Sequence, residues 1–539
     1  MERAANRLEQ GHFDLLVIGG GVYGAWTAYD AALRGLKVAL VDNGDWASKT
    51  SSASSKLIHG GLRYLEHFHF GLVRKSLRER ARLISLAPHR VRPWRFLIPL
   101  YTGNRVSPLR LKAGLRLYDL FSRKDAPGGQ CLSLKREEAI EICPFLKEEG
   151  LLGALTYGDC ITDDARFTLE VVEGAVAAGA IAVNYAEAEE LLTNGYRVTG
   201  ALVRDRLENY SIKVRASVVV DTSGPWAARI TGSGPLSFKV RLTKGVHLVF
   251  PSLPTEDAFL FLTRRDKRVF FLVPWYGRTL VGTTDSDYTG SPDDVGIETK
   301  DIDYILEQID YRIRPGTWGT DTILGMSAGL RTLADEPGRD PSSLSREWIL
   351  KEAREGLLVS IGGKFTTARA DAALIVDRVM QRLGKTVKGK PPTENRPFPF
   401  SPGANFQSWR SAAAREGMRI GLDEETALNC AQRYGTALNE IHRLIRKAPA
   451  LAGRLKDNLP FCRAEVVHGA AREMSVHLED LLRRRLPLML VSQPDRTVLE
   501  AAAALAAPVL GWDEGQRRKE IDSALAYWES PIRLRKKPS

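Results

Sequence analysis

The sequence predicts an α/β protein of several domains, and three features of the chain indicate this class. The chain has 539 residues, which is too long for a single hydrophobic core. A strand, a glycine-rich loop, a helix and a second strand follow one another between Phe13 and Asp42, as in a parallel sheet with a crossover helix. Near the other end, a proline-rich stretch precedes segments with helical periodicity. We therefore expect an α/β region followed by a helical C-terminal domain.

The composition limits the classes of partner and of site. A formal net charge of +12 favours anionic partners, such as phosphorylated metabolites, acidic lipid head groups or nucleic acid. The 5 cysteines include no CxxC pair, so we expect no disulfide framework and no metal site. The polar N-terminus lacks the apolar core of a signal peptide, and no apolar run approaches the roughly 20 residues of a membrane helix. These features predict a cytoplasmic protein that contacts a membrane only peripherally.

The first motif predicts a dinucleotide site of the Rossmann type. Phe13 to Ile18 is an apolar run typical of a buried parallel strand, and Gly19, Gly21 and Gly24 follow at GxGxxG spacing. The first glycine permits a tight turn, the second lets backbone approach a pyrophosphate, and the third allows close packing of the next helix. Asp42 ends the second strand, where its carboxylate accepts hydrogen bonds from a ribose. This acid favours FAD or NAD over NADP.

A second motif narrows the dinucleotide to a flavin. Residues 54–65 read SSKLIHGGLRYL, and this run resembles the signature of the flavin-dependent glycerol-3-phosphate dehydrogenases. Further segments along nearly the whole chain resemble that family in the same order: YGD at 157–159, DDAR at 163–166, TSGPW at 222–226, KGVH at 244–247, GTTD at 282–285, AGLR at 328–331 and GGKFTT at 362–367. The departures are Asp221, Thr332 and Ala368, where the family commonly has other residues.

The resemblance implies FAD as cofactor and a division into domains. We expect an FAD-binding domain from residues 12–80, 150–232 and 325–390, and a substrate cap on an antiparallel sheet from 81–149 and 233–324. A linker over 391–402 and a helical domain over 403–535 follow. The cofactor residues that we expect are Gly19, Gly21, Gly24, Asp42, Ser54, Ser55, Lys56, Leu57, His59, Gly60, Gly61, Gly224, Trp226, Gly329, Gly362 and Gly363.

The resemblance also implies the reaction, which is oxidation of glycerol 3-phosphate to dihydroxyacetone phosphate. Such a reaction needs a base for the hydroxyl proton and a flavin N5 atom to accept the hydride. We expect His247 and Arg331 near the reacting hydroxyl, with His247 as the base, and Lys364 beside the flavin. The remaining expected residues would hold the substrate phosphate, and they are Arg63, Tyr64 and Arg346.

The sequence does not decide which electron acceptor the protein uses or whether it binds a membrane. Family members pass electrons to membrane quinones, and the stretch from Arg105 to Lys124 interleaves basic and apolar residues. A basic amphipathic helix of this kind lies on the anionic inner face of a cell membrane, although an ordinary cap helix explains the pattern equally well. One rival function is an oxidase that produces hydrogen peroxide from the same substrate. Another is a related FAD-dependent amine or hydroxy-acid oxidoreductase.

A protein of another class would be a nucleic-acid-binding flavoprotein. The sequence contains no recognised RNA- or DNA-binding motif, and its basic residues are spread along the chain. We therefore expect no nucleic-acid partner. A non-catalytic structural protein fits the sequence even less well, since the cofactor motifs and the basic residues expected to bind the substrate are all present. The sequence leaves the oligomeric state open, and a homodimer is compatible with it.

Overall fold

A computed structural model gives the fold of the chain. It describes residues 1–66, 68–122, 127–231, 240–263, 268–334 and 347–529, and the statements below concern these ranges. The strands, in chain order, are β1 (His12–Ile18), β2 (Val38–Val41), β3 (Leu57–Ile58), β4 (Arg92–Tyr101), β5 (Ser133–Lys135), β6 (Leu151–Ile161), β7 (Ile181–Val183), β8 (Ala186–Asn194), β9 (Arg197–Asp205), β10 (Tyr210–Asp221), β11 (Val240–Pro251), β12 (Ala258–Leu262), β13 (Val269–Trp275), β14 (Arg278–Gly282), β15 (Ser286–Tyr288), β16 (Gly325–Ala334), β17 (Ile349–Arg354) and β18 (Leu357–Ile361). The α-helices are α1 (Val22–Leu33), α2 (Arg63–Glu66), α3 (Phe70–Leu86), α4 (Pro108–Ser122), α5 (Arg136–Ile142), α6 (Asp164–Ala177), α7 (Ala227–Thr231), α8 (Thr299–Arg312), α9 (Ala368–Arg382), α10 (Phe406–Arg419), α11 (Glu424–Tyr434), α12 (Leu438–Lys447), α13 (Arg463–Arg472), α14 (Leu488–Val491), α15 (Arg496–Leu510) and α16 (Glu514–Glu529).

The first sheet has a parallel centre. Its strands run in the order β17-β18-β10-β1-β2-β7, and β1 pairs in parallel with both β10 and β2. The β8–β9 hairpin extends this sheet by antiparallel pairing of β9 with β10. Helix α1 joins β1 to β2, as the sequence predicts. The carboxyl ends of β1, β2 and β10 therefore meet at one edge, where parallel α/β sheets bind their ligands.

Side chains alternate across β1 and bury both faces of this sheet. Leu15 and Val17 belong to the core that β1 shares with α1, α6 and α9. Leu16 and Ile18 belong to the opposite core, with residues of β8, β9 and β10. A strand covered on both faces reads as a continuous apolar run, which explains why residues 13–18 lack polar alternation.

The second sheet is largely antiparallel and carries the substrate side of the molecule. Its strands run in the order β15-β11-β14-β13-β12-β4-β6-β3, with β16 paired to β11 and β5 paired to β6. Strands β13 and β14 form an antiparallel hairpin, in which Trp275 pairs with Arg278. This sheet also includes β6 and β16, which the sequence-based boundaries assign to the FAD-binding domain. Both strands pair along most of their length with cap strands, so the two regions share a sheet at this point.

The C-terminal part is helical, as the sequence predicts. Helices α10 to α13 enclose a core of their own. Buried ion pairs connect the C-terminal part to the loop after β2 and to α6. Asp45 forms a bidentate ion pair with Arg485 and lies 2.5 Å from Arg484, and Arg166 lies 2.6 Å from Glu473. Helix α13 ends at Arg472, and Met474, two residues further on, adopts a positive φ of 52°. Within the described ranges, the structure contains no helix long and apolar enough to cross a membrane.

Candidate active site

The glycine loop after β1 opens one end of a cavity. Gly19 has a φ of +103°, and a Cβ there would lie 2.9 Å from the backbone of Ser223. A Cβ on Gly24 would lie 1.8 Å from the carbonyl oxygen of Gly19, so α1 packs directly on the loop. Gly21 caps α1 without a side chain. Because the first turn of a helix lacks intrahelical acceptors for its N–H groups, this terminus fits an anionic group such as a pyrophosphate.

Asp42 lies at the end of β2 and faces the same cavity. Its carboxylate accepts hydrogen bonds from the backbone N–H groups of Gly20, at 2.5 Å, and Gly44, at 2.8 Å. Burial raises the pKa of this carboxyl to about 6, because desolvation outweighs both hydrogen bonds. A ribose hydroxyl that donated to Asp42 would favour the ionised form. The position and chemistry of Asp42 therefore fit the adenosine end of a dinucleotide.

The cavity has a volume of about 390 Å³ and extends from this loop to the second sheet. Most of the residues predicted from the sequence meet along its walls. Those that line it are Gly19, Gly21, Asp42, Ser54, Ser55, Leu57, His59, Gly61, Tyr64, Gly224, Trp226, His247, Gly329, Arg331, Gly362, Gly363 and Lys364. Arg346 and the side chain of Arg63 lie outside the described residues.

Three of the predicted cofactor residues are described but do not line the cavity. The ammonium group of Lys56 is buried against Asp164, at 2.5 Å, and donates to the carbonyl oxygen of Ser52 at 2.7 Å. A Cβ on Gly60 would lie 2.4 Å from Leu77, and its N–H donates to the Tyr118 hydroxyl at 2.7 Å. Gly24 packs against the glycine loop. These three residues lie outside the lining of the cavity, and they support the segments that form its walls.

His247 lies on β11, between β14 and β16, and its side chain is only 2% exposed. Its Nε2 atom lies 2.8 Å from Oγ of Ser55, which lines the cavity. Burial, followed by the charges of Arg331 and Lys56, lowers the pKa of His247 to about 3. The imidazole is therefore neutral at physiological pH and is available to accept a proton.

Two cations and an aromatic ring also line the cavity. Arg331, on β16, donates to Asp285 and to the Thr283 hydroxyl, each at 3.1 Å. The ammonium nitrogen of Lys364 lies 3.5 Å from the centre of the Tyr64 ring. Arg331 places positive charge near the neutral histidine, and Lys364 adds a second cation to the cavity wall. Positive charge of this kind suits an anionic substrate or a developing negative charge.

Several wall residues were not predicted from the sequence. Tyr23 accepts a hydrogen bond from the Lys364 N–H at 3.0 Å and donates to Asp371 at 2.8 Å, which fixes the loop before Lys364. Thr366 accepts from the His59 N–H at 3.1 Å. Phe271 lines the cavity from β13. Thr366 lies in the GGKFTT motif that signals the cofactor site, whereas Phe271 resembles any strand aromatic and gives no such signal.

A compact group of ligand-type side chains lies in the helical C-terminal part. Ligand atoms of Cys430, Cys462 and Glu465 lie within 4.8 Å of one another, and all three residues are buried. The Glu465 carboxylate already accepts hydrogen bonds from Arg433 at 2.6 Å and from the Cys462 N–H at 2.7 Å. These hydrogen bonds account for the close approach of the three side chains as part of the packed interior of the helical part.

Known families match both parts of the chain. The model described as FAD dependent oxidoreductase matches residues 14–378, and the model for the C-terminal domain of alpha-glycerophosphate oxidase matches residues 393–517. The chain is 36% identical over 541 residues to glycerol-3-phosphate dehydrogenase 2 of Mycobacterium bovis, covering 99% of this chain and 91% of that protein. It is 35% identical over 525 residues to the aerobic glycerol-3-phosphate dehydrogenase of Bacillus subtilis, covering 95% and 94%.

Solved structures agree with these matches. The glycerol-3-phosphate dehydrogenase from Bacillus halodurans, complexed with FAD, superposes with a TM-score of 0.77 at 28% identity, covering 97% of this chain and 96% of that chain. The L-alpha-glycerophosphate oxidase from Mycoplasma pneumoniae, with FAD bound, shares the fold with a TM-score of 0.55 at 17% identity, covering 72% and 98%. The chain therefore belongs to the FAD-dependent glycerol-3-phosphate dehydrogenase family, and FAD is its cofactor.

Proposed function

We propose that this protein oxidises sn-glycerol 3-phosphate to dihydroxyacetone phosphate and passes the electrons to a membrane quinone. The observation that supports the proposal most strongly is the neutral His247 near the cation Arg331, in a dinucleotide cavity that Lys364 also lines. Oxidation of a phosphorylated secondary alcohol needs both a proton acceptor and positive charge. The names of the relatives in Mycobacterium bovis and Bacillus subtilis indicate the same substrate.

The residues of the cavity fit FAD along its length. The loop at Gly19 and Gly21, with the N-terminus of α1, would hold the pyrophosphate, and Asp42 would hold the adenosine ribose. A Cβ would lie 2.9 Å from Ala53 on Gly329, 2.9 Å from Glu347 on Gly362 and 1.8 Å from Tyr23 on Gly363, so these wall segments pack closely without side chains. The flavin ring would lie against this part of the wall. When bound, FAD supplies the hydride acceptor, its N5 atom. Lys364 would stabilise negative charge on the reduced ring.

The proton of the substrate hydroxyl passes, in this proposal, to Nε2 of His247. His247 and Ser55 both line the cavity, and the Ser55 hydroxyl lies 2.8 Å from Nε2 of the almost fully buried imidazole. In this proposal the hydroxyl lies between the imidazole and the substrate. Ser55 would take the proton from the substrate hydroxyl and give its own to Nε2. Arg331 would lie beside the oxygen that loses the proton and stabilise its developing negative charge.

We propose that the substrate phosphate is held by Tyr64 together with Arg63 and Arg346. Tyr64 lies on the cavity wall next to Lys364. Arg63 is supported by its place in the SSKLIHGGLRYL run, whereas Arg346 is supported by the family resemblance alone. A planar guanidinium holds two phosphate oxygens at once.

We further propose that the protein docks on an anionic membrane surface through α4 and the segment before α3. Phe68, Leu109 and Leu120 are 70%, 79% and 73% exposed, and large apolar side chains exposed in this way suit insertion below lipid head groups. Arg110 and Arg116 are exposed on the same helix, where positive charge attracts acidic lipids. The opposite side of α4 is buried.

One assay tests the substrate, the product and the acceptor together. The FAD-loaded protein is supplied with glycerol 3-phosphate, air and a water-soluble quinone, and the dihydroxyacetone phosphate, reduced quinone and hydrogen peroxide are measured. Equal amounts of dihydroxyacetone phosphate and reduced quinone, with little peroxide, would support the dehydrogenase. Equal amounts of product and peroxide would identify an oxidase, the rival that the match to an alpha-glycerophosphate oxidase domain keeps open. Absence of product would refute the substrate assignment.

Flotation with liposomes tests the membrane proposal separately. The protein should float with vesicles that contain an acidic lipid at low salt, and less so at high salt, because salt screens exposed charges. Protein that stays in solution under both conditions would contradict the docking proposal.

A further inference from the structure

The two residues that flank Ser55 are fixed by one carboxylate, that of Asp164 at the start of α6. The hydroxyl of Ser54 donates to Oδ2 of Asp164 at 2.6 Å, and the Ser54 N–H donates to the same oxygen at 3.1 Å. The ammonium nitrogen of Lys56 lies 2.5 Å from Oδ1 of the same side chain. Ser55 is therefore held from both sides, while its own hydroxyl reaches His247.

The backbone at Lys56 needs such support. Lys56 has a φ of 59°, in the left-handed region that residues with a Cβ rarely adopt. Its N–H donates to the Ser54 hydroxyl at 3.1 Å, and its carbonyl oxygen accepts from the Thr162 N–H at 2.8 Å. Strand β3 begins at the next residue, so this turn fixes where Ser55 lies relative to the second sheet.

The ion pair between Lys56 and Asp164 is almost closed to solvent. The two side chains are 3% and 0% exposed, and the ammonium nitrogen lies 5.0 Å from the centre of the Trp275 ring. Burial raises the pKa of the Asp164 carboxyl, and the charge of Lys56 opposes that rise. Because desolvation offsets most of the attraction in a buried ion pair, the geometry that this pair imposes explains it better than the stability that it adds.

We propose that Asp164 is a positioning residue for the oxidation, which holds the hydroxyl of Ser55 against Nε2 of His247. This inference rests on the proposed proton path from the substrate through Ser55. A group that transfers the proton must stay within hydrogen-bond reach of the imidazole, and a misplacement of about 1 Å can cost about 10²-fold in rate. Asp164 is described but does not line the cavity, so it acts through Ser54 and Lys56 and not on the substrate itself.

A double-mutant cycle on flavin reduction tests the proposal in the FAD-loaded protein. Asp164→Asn keeps the shape of the side chain and removes its charge, and we expect the rate to fall about 10-fold, as in Ser55→Ala. If Asp164 acts through Ser55, adding Asp164→Asn to Ser55→Ala should slow the reaction by no more than about twofold further. A further slowing of about 10-fold in the double variant, or an unchanged rate in folded Asp164→Asn, would overturn the proposal.

A second buried lysine–aspartate pair provides the matched control. Lys244 lies 2.6 Å from Asp301, and both side chains are 4% exposed. Lys244 and His247 are three residues apart on β11, so their side chains point to opposite faces of the sheet. Asp301→Asn should lower the Tm about as much as Asp164→Asn does and leave the rate of flavin reduction unchanged. Equal slowing in both variants would overturn the proposal, since it would show a general effect of a buried lysine deprived of its aspartate.

The hydrogen bond between Ser55 and His247 can also be observed without substrate. In protein with 15N-labelled histidine, the Nε2 resonance of His247, identified by its loss in His247→Gln, reports whether the imidazole accepts a hydrogen bond. We expect Asp164→Asn to shift this resonance in the same direction as Ser55→Ala does, and Asp301→Asn to leave it in place. A resonance that stays in place in folded Asp164→Asn would overturn the proposal. This result does not depend on whether His247 is the proton acceptor, which the rate of His247→Gln tests separately.

Ser54→Ala keeps the proposal falsifiable if Asp164→Asn does not fold. This variant removes one hydrogen bond to Asp164 and leaves the ion pair with Lys56 intact. We expect it to retain FAD, as its flavin spectrum will show, and to shift the His247 resonance in the same direction. Flavin reduction should slow about fivefold, which is the size of effect that one lost hydrogen bond produces. An unmoved resonance together with an unchanged rate would overturn the proposal.

Discussion

Replacement of His247 by glutamine tests the proposed proton acceptor. A glutamine side chain reaches the region of Nε2 and retains a hydrogen bond to Ser55, which lies 2.8 Å away in the native protein, but it does not accept a proton near pH 7. Positioned acid–base groups contribute about 10²–10⁴-fold to a rate, so we expect flavin reduction by glycerol 3-phosphate to slow by about 10²-fold or more. This loss corresponds to about 3 kcal/mol or more of barrier.

Anaerobic stopped-flow measurement of flavin absorbance isolates this step from the later acceptor. FAD content should stay normal in His247→Gln, because the cofactor contacts proposed for Asp42 and the glycine loop are unchanged. His247→Ala, which removes the hydrogen bond as well, should be at least as slow. A rate constant within about threefold of the native value in His247→Gln, far below the contribution typical of a general base, would refute the role of His247.

The pH dependence of the same rate gives an independent test. The pKa of His247 is lowered to about 3, so the imidazole remains unprotonated from pH 8 down to about pH 5. At saturating substrate, the rate of flavin reduction should therefore show no fall with a midpoint near the ordinary histidine pKa of about 6.5. An acid limb with that midpoint in the native enzyme, absent from His247→Gln, would contradict the structure of this site.

Three further predictions concern the relay, the cofactor and the membrane. Ser55→Ala should slow flavin reduction about 10-fold or more without loss of FAD, as measured by stopped-flow absorbance. An unchanged rate would exclude proton transfer through Ser55 to His247. FAD affinity, measured by flavin fluorescence, should weaken as pH falls through about 6, where Asp42 becomes protonated, by at most about tenfold per pH unit. Asp42→Asn should lose this pH dependence, and its persistence would implicate another group. The double variant Phe68→Ser/Leu120→Ser should reduce liposome flotation and leave the rate of flavin reduction unchanged. The control variant is Leu374→Ser, at another exposed leucine. An equal loss of flotation in this control would indicate a general effect on folding.

The parts of the site that are encoded locally could be predicted from the sequence. The turn at Gly19 and the packing at Gly24 depend on residues close in the chain, and the GxGxxG spacing identifies both. Strand β1 and helix α1 carry clear hydrophobic patterns, and their predicted positions are confirmed within a few residues. Order and spacing of short motifs were sufficient to indicate the family.

Contacts between distant segments could not be predicted in the same way. Lys56 was expected at the cofactor, but a carboxylate 108 residues away, that of Asp164, draws its ammonium group into a buried ion pair. Gly60 is held by the Tyr118 hydroxyl from α4. Both partners are remote in sequence, and composition or spacing near residue 60 gives no sign of them.

The role of Ser55 is another case in which pairing across the fold matters. The sequence suggested a cofactor contact for this residue, since small hydroxyl residues surround it. In the structure its hydroxyl reaches His247, which lies 192 residues away on β11. The register of β11 against β14 and β16 fixes the position of that imidazole, and a one-residue slip in register would turn it to the opposite face of the sheet.

Anaerobic addition of glycerol 3-phosphate to the FAD-loaded protein tests the proposed function most directly. We expect the flavin absorption band near about 450 nm to bleach and an equal amount of dihydroxyacetone phosphate to appear. A yellow, folded protein whose band remains unchanged at millimolar substrate would contradict the assignment of glycerol 3-phosphate as the substrate.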